Sequence, residues 1–168
     1  MELITTLLEM REHPRLQAKG PHRGGMLLRL EEPSVSFYRY LYEAVGGGWG
    51  WQRRRRLPDE ELVTIIADEA VDVLVFYLGG VPAGFIELDR RLEDEVELVR
   101  FGLVPEFRGR ALGKWLLSVA VDSAWGHEPQ RLWAAATNLD DPRVLLLCQW
   151  AGFTAYDTRR ETLGDPRV

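Results

Sequence analysis

Cysteine occurs once in the 168 residues, at Cys148, so no intrachain disulfide can form and a four-cysteine zinc site is excluded. Histidine is almost as scarce. His13, His22 and His127 are dispersed without the spacing of metal ligands, and no metal is expected. The chain has no excess of basic charge either. Lys plus Arg is 21 against 26 for Asp plus Glu, a net −5 that gives no global attraction toward nucleic acid or anionic lipid. No export signal is expected, since Glu2 and Glu9 bracket only the short apolar stretch Leu3 to Leu8. Internal repeats, low-complexity segments and long linkers are also absent. What is present is 46% apolar and 28% charged residues, the balance of a folded domain with one core. The expectation is a single reduced, cytoplasmic domain over residues 1–168.

Patterning along the chain predicts alternating element types. Leu3 to Leu8 reads as a strand, followed by a Gly/Pro-rich connector through Pro21, Gly24 and Gly25. Met26 to Leu30 reads as a second strand, stopped near Pro33. Ser34 is placed to cap an aromatic-rich helix over Val35 to Val45, which Gly46, Gly47 and Gly48 end. Pro58-Asp59-Glu60-Glu61 opens another helix with a proline and acids in its first turn. Val71 to Leu78, Pro82 to Asp89 and Glu95 to Val104 are β-rich blocks, the first two joined as a hairpin through Gly79-Gly80. Leu112, Trp115, Leu116, Val119 and Ala120 then recur at helical steps. A strand over Arg131 to Thr137, a helix opened by Asp141-Pro142 and ended by Gly152, and a strand over Phe153 to Thr158 complete an α/β domain with a mixed sheet.

The informative stretch is Val96 to Lys114, VELVRFGLVPEFRGRALGK. A strand passes through a proline turn into Arg108-Gly109-Arg110-Ala111-Leu112-Gly113 at the mouth of a helix. Unpaired amides at a helix N-terminus carry partial positive charge, and small residues let a pyrophosphate reach them. Arg108 and Arg110 would add charge-assisted donors. An ordinary tight turn is the competing reading. A Walker loop is excluded, because Gly109 to Gly113-Lys114 is one residue short and Trp115 replaces the magnesium-binding Ser or Thr. Gly46-Gly47-Gly48-Trp49-Gly50 is a weaker phosphate candidate, with no strand before it and no helix after it.

This strand–turn–helix resembles the acetyl-CoA signature of the GNAT N-acetyltransferase superfamily, Arg/Gln-x-x-Gly-x-Gly/Ala, matched by Arg108, Ala111 and Gly113. Alanine replaces the first motif glycine. Downstream, Asp141 through Phe153 resembles the family's Asn-x-x-Ala-x-x-Leu-Tyr-x-x-x-Gly-Phe, and strand order fits from about residue 26 to 158. The resemblance implies a mixed, mostly antiparallel sheet flanked by helices, with a splayed central strand pair. It implies acetyl-CoA as co-substrate, lying where the strand ending at Val104 parts from Arg131 to Thr137. Backbone groups around Phe101 to Val104 would pair with pantetheine, and the Leu103 amide would donate to the thioester carbonyl. Pyrophosphate would rest on amides of Gly109, Arg110, Ala111, Leu112 and Gly113.

A neutral attacking amine needs a base, because a typical alkylamine has a pKa of about 10.4. Glu97, eleven residues before Arg108, resembles the family's base glutamate in position. Glu87 on the preceding strand is the alternative. Cys148 stands where the family usually places a tyrosine that protonates the leaving thiolate. It reads either as a thiol acid or as a small buried apolar residue. Asp141 replaces an asparagine among the cofactor-facing positions and suits a helix cap better than a cofactor contact. Phe37, Tyr38, Tyr42, Trp49 and Trp51 are either core or an aromatic wall for a cationic amine. Arg53 to Arg56 reads by default as a solvated loop, with an acidic partner or the cofactor's phosphate as alternatives. The acceptor is a small-molecule or peptide amine, and oligomeric state stays open, a homodimer being one outcome. A non-catalytic acyl-CoA-binding module is the rival reading on the same fold, and an unrelated nucleotide-binding α/β domain a further one.

Overall fold

The computed structural model describes residues 1–21, 23–32, 34–49 and 51–164. The strand stop at Pro33, the glycine run's end at Gly50 and the dispersed His22 lie outside the described residues. Within them the chain runs β1 (Glu2–Met10), β2 (Met26–Arg29), α1 (Val35–Gly46), α2 (Asp59–Ile66), β3 (Val71–Leu78), β4 (Val81–Asp89), β5 (Glu95–Leu103), α3 (Leu112–Trp125), β6 (Arg131–Thr137), α4 (Arg143–Trp150) and β7 (Thr154–Thr162). Local chemistry accounts for most boundaries. Ser34 Oγ accepts the Phe37 amide at 3.3 Å and starts α1. Gly79 and Gly80, at φ +63° and +83°, form the tight turn between β3 and β4, a backbone that side chains with a Cβ resist. Asp141 Oδ1 accepts the Arg143 amide at 3.0 Å, so Asp141 caps α4 as expected.

Seven strands form one sheet in the order β2-β3-β4-β5-β6-β1-β7 among the described residues. Only β5 and β6 run parallel; every other adjacent pair is antiparallel. The expected mixed, mostly antiparallel sheet with flanking helices is what forms. Sequence patterning left the place of the first strand open. β1 lies between β6 and β7, and β7 runs four residues past its expected end at Thr158.

Each face of the sheet has its own core. Leu116, Leu117 and Val121 of α3, Cys148 of α4 and Ala151 at its C-cap pack with Leu88, Leu98 and Leu132 on one face. Tyr38, Leu41, Tyr42, Val45 and Trp51 pack with Leu62, Val73 and Phe85 on the other. Tyr38 and Phe85 are fully buried, so the aromatic stripe of α1 is mainly core. Gly46 is required by this packing. A Cβ there would fall 2.1 Å from the Trp51 ring.

Candidate active site

The site starts from a gap in the sheet. β5 and β6 pair only over Glu95 to Leu98 and Arg131 to Ala134, and beyond that the two strands separate. A bulge at Val99, where the β4–β5 register shifts, marks the start of the open stretch. Past it the Val104 amide donates to the Ala83 carbonyl at 2.8 Å. Antiparallel alternation then turns the main-chain groups of Phe101 and Leu103 away from β4, toward the gap. Val104 departs from the expected role. Its amide is held by Ala83 and its carbonyl accepts Phe107 at 2.9 Å, leaving no free main-chain group for an added chain.

From this edge the chain crosses a short 3-10 turn, Pro105–Phe107, and enters α3. Gly109 sits at φ +77° and Ala111 at φ +59°, so two left-handed residues aim the first α3 amides outward. The amides of Leu112 and Gly113 belong to that unpaired first turn. A cavity of about 640 Å³ joins the helix start to the strand edge. Phe101, Leu103, Arg108, Gly109, Ala111 and Gly113 border it on one side, Asp141, Leu147 and Trp150 on another.

Arg108 does not extend as a free anion donor. Its Nε donates to the Leu103 carbonyl at 3.2 Å and its Nη2 to the Val45 carbonyl at 2.7 Å, clamping β5 to the end of α1. Arg110 instead stacks over Phe107, with 5.0 Å from guanidinium carbon to ring centroid. Lys114 is a further cation on the cavity wall, its ammonium 5.0 Å from the Trp150 ring centroid.

Both candidate bases are ion-paired. Glu97, 7% exposed, accepts Arg53 Nη1 at 2.7 Å. Glu87 is fully buried, accepts Arg54 Nη2 at 2.6 Å and receives a short hydrogen bond from the Tyr38 hydroxyl. Burial and the Glu87 charge hold the Tyr38 phenol above its usual range. Burial would lower the Arg54 pKa, but the adjacent Glu87 raises it further, so that guanidinium stays charged. The basic run is exposed at Arg53, Arg55 and Arg56, as a solvated loop would be, but Arg54 departs from that reading: it is 4% exposed because a buried carboxylate must be paired.

Cys148 is 2% exposed and borders a small cavity in the gap between β5 and β6, with Phe101, Asp140 and Val144. Burial, with a contribution from Asp140, pushes its thiol up to about 12. Asp141 also holds Arg143 through Oδ2–Nη2 at 2.6 Å, and that hydrogen bond keeps its carboxyl below the usual range. No group of three or more His, Cys, Asp or Glu side chains suited to a metal ion occurs among the described residues. No described helix is long and apolar enough to cross a membrane.

A parallel strand pair that parts beside a glycine-flanked helix start defines an acetyltransferase-type fold. The acetyltransferase (GNAT) family matches residues 27–153, and the chain belongs to that family. It is similar in fold to a GCN5-related N-acetyltransferase from Sphaerobacter thermophilus, at 15% identity and TM-score 0.67, over 95% of this chain and 51% of that one. An IAA acetyltransferase from Bacillus cereus superposes at 19% identity and TM-score 0.61, over 80% of this chain and 79% of that one. The ribosomal-protein-S18-alanine N-acetyltransferase from Escherichia coli does so at 15% identity and TM-score 0.61, over 77% of each chain. The chain spans about half to two-thirds of the length of several structures that it matches. No curated protein matches its sequence.

Proposed function

We propose that the chain transfers an acetyl group from acetyl-CoA to a primary amine by direct attack in a ternary complex. One observation carries this reading: the open edge formed by Phe101 and the Leu103 amide lies in the same cavity as the first amides of α3. An extended pantetheine amide chain suits the first and a pyrophosphate suits the second. Leu103 remains the proposed thioester donor. Attack forms the amide C–N bond, breaks the C–S bond and requires loss of an ammonium proton. Glu97 is the proposed acceptor of that proton, directly or through a water, because Glu87 is sealed behind Tyr38 and Arg54. Arg53 beside Glu97 orients the carboxylate. A cytoplasmic setting, a homodimer and the absence of nucleic-acid or membrane partners belong to the same proposal.

The test is calorimetry with coenzyme A, followed by thiol release from acetyl-CoA across a panel of amines. Glu97→Gln is expected to lower turnover more than about tenfold with little change in acetyl-CoA affinity. Unchanged turnover would remove Glu97 from the reaction, and no heat with coenzyme A would remove the cofactor. The ion pairs on both carboxylates and the raised Cys148 thiol favour one second reading, a non-catalytic acyl-CoA-binding module. Tight coenzyme A binding with no turnover on any amine would support it.

A further inference from the structure

Among the described residues Arg100 is a cation without an anion. It follows the bulge residue of β5 and pairs in register with Glu87, which places it on the α1 side of the sheet. The nearest acids in the ladder are already taken: Arg54 holds Glu87 at 2.6 Å and Arg53 holds Glu97 at 2.7 Å. None of the ion pairs among the described residues includes Arg100. Its one hydrogen bond is a long one, Nη1 to the Val99 carbonyl at 3.3 Å. Nε is buried without a partner, and no described residue accepts from Nη2. The guanidinium carbon lies over Trp51, 5.0 Å from its ring centroid.

The position matters as much as the missing partner. Trp51 borders both the large cavity and the small one in the strand gap, and Arg100 borders the small one beside Phe101 and Cys148. Asp140 borders it too, but its Oδ2 is turned onto the Thr137 amide at 2.7 Å. Arg100 therefore stands in the strand gap, next to Trp51, which reaches from there into the large cavity. Partly desolvating an unpaired guanidinium is costly, and a fixed cation facing a reaction gap suits an anion supplied by a ligand.

We infer that Arg100 is the anchor for a carboxylate carried by the acceptor, and that the acceptors are small amino acids or related amino-carboxylates. This deepens the acetyl-transfer reading and rests on it for the word acceptor. The geometry suits the class: a planar guanidinium offers paired donors to a carboxylate, and the flat Trp51 face keeps it oriented. Its positive charge also disfavours a second positive charge nearby, which helps the neighbouring amine shed its proton.

The experiment compares amino acids with their carboxamides, with β-alanine as a longer spacer. Glutamate against glutamine separates a side-chain carboxylate from the one beside the amine. Binding of the N-acetylated forms is titrated onto the coenzyme A-saturated protein, and turnover of the free amines is measured in parallel. Carboxylates are expected to bind about tenfold or more tighter than their carboxamides. Arg100→Met keeps the aliphatic stem on Trp51 and is expected to bring carboxylates down to the carboxamide level, through KM rather than kcat. Arg100→Lys keeps the charge and is expected to retain part of the preference, which distinguishes lost recognition from a damaged fold. Equal binding of carboxylates and carboxamides, or a preference that survives Arg100→Met, overturns the assignment. Arg100-dependent carboxylate binding without turnover would instead overturn acetyl transfer and leave the anchor standing. Turnover indifferent to the carboxylate would do the reverse.

Discussion

At Cys148 a single buried atom decides between two chemistries. A thiol at about 12 stays protonated, so it holds a proton to give. The leaving thiolate, however, has an ordinary thiol pKa of about 8.5, and transfer to it would be uphill by several kcal/mol. Burial among Leu98, Ala134 and Val144 makes Cys148 a packing residue of α4. Cys148→Ala is expected to leave kcat within about threefold, read by thiol release, while destabilising the fold by about 1 kcal/mol through the small void. Glu97 is legible in the sequence as a strand glutamate at a telling distance from Arg108. Its ion pair with Arg53 is not, because the two lie 44 residues apart and meet only through the loop after α1.

The strand–turn–helix of β5 and α3 shows what element-level signals carry. Glycines and small residues before a helical period predict an outward-facing helix start, and Leu112–Trp125 begins there. The direction of Arg108 was not legible, since periodicity says nothing about which carbonyl a long side chain reaches. Ala111 is the strained member, an alanine at φ +59° where glycine would sit without steric cost. Ala111→Gly is expected to stabilise the protein by about 1 kcal/mol, offset in part by chain entropy, and to raise Tm by roughly 2–4 °C in a thermal melt. A lowered Tm would show that the left-handed turn is not the source of strain.

Across the whole molecule, Asp72 joins distant elements. It is 6% exposed and meets Arg29 of β2 at 3.0 Å, Arg90 after β4 at 2.9 Å and His127 after α3 at 3.3 Å. Burial alone would raise its carboxyl pKa, but Arg90 and Arg29 outweigh that and hold it below the usual carboxylate range. A depressed carboxylate stabilises the fold above its unfolded pKa of about 3.9, and that contribution fades as pH falls through the lower folded value. Denaturant midpoints are therefore expected to drop as pH is lowered below about 4. Asp72→Asn should cost about 2 kcal/mol at pH 7 and flatten that acid limb. A variant with the same limb as the parent would place the acid sensitivity elsewhere.

The amino-acid order by itself determined the succession of strands and helices, the caps at Ser34 and Asp141, and the small-residue turn into α3. These are local, set by periodicity, dihedral preference and side-chain reach over a few residues. Tertiary structure alone decided that β1 enters between β6 and β7, that Val104 is bonded back to β4, and that both glutamates are paired while Arg100 meets no acid among the described residues. Those outcomes depend on which distant segments meet at the sheet. Pairing across tens of residues is chosen by the burial of whole faces and the neutralisation of buried charge, which no short window of sequence contains.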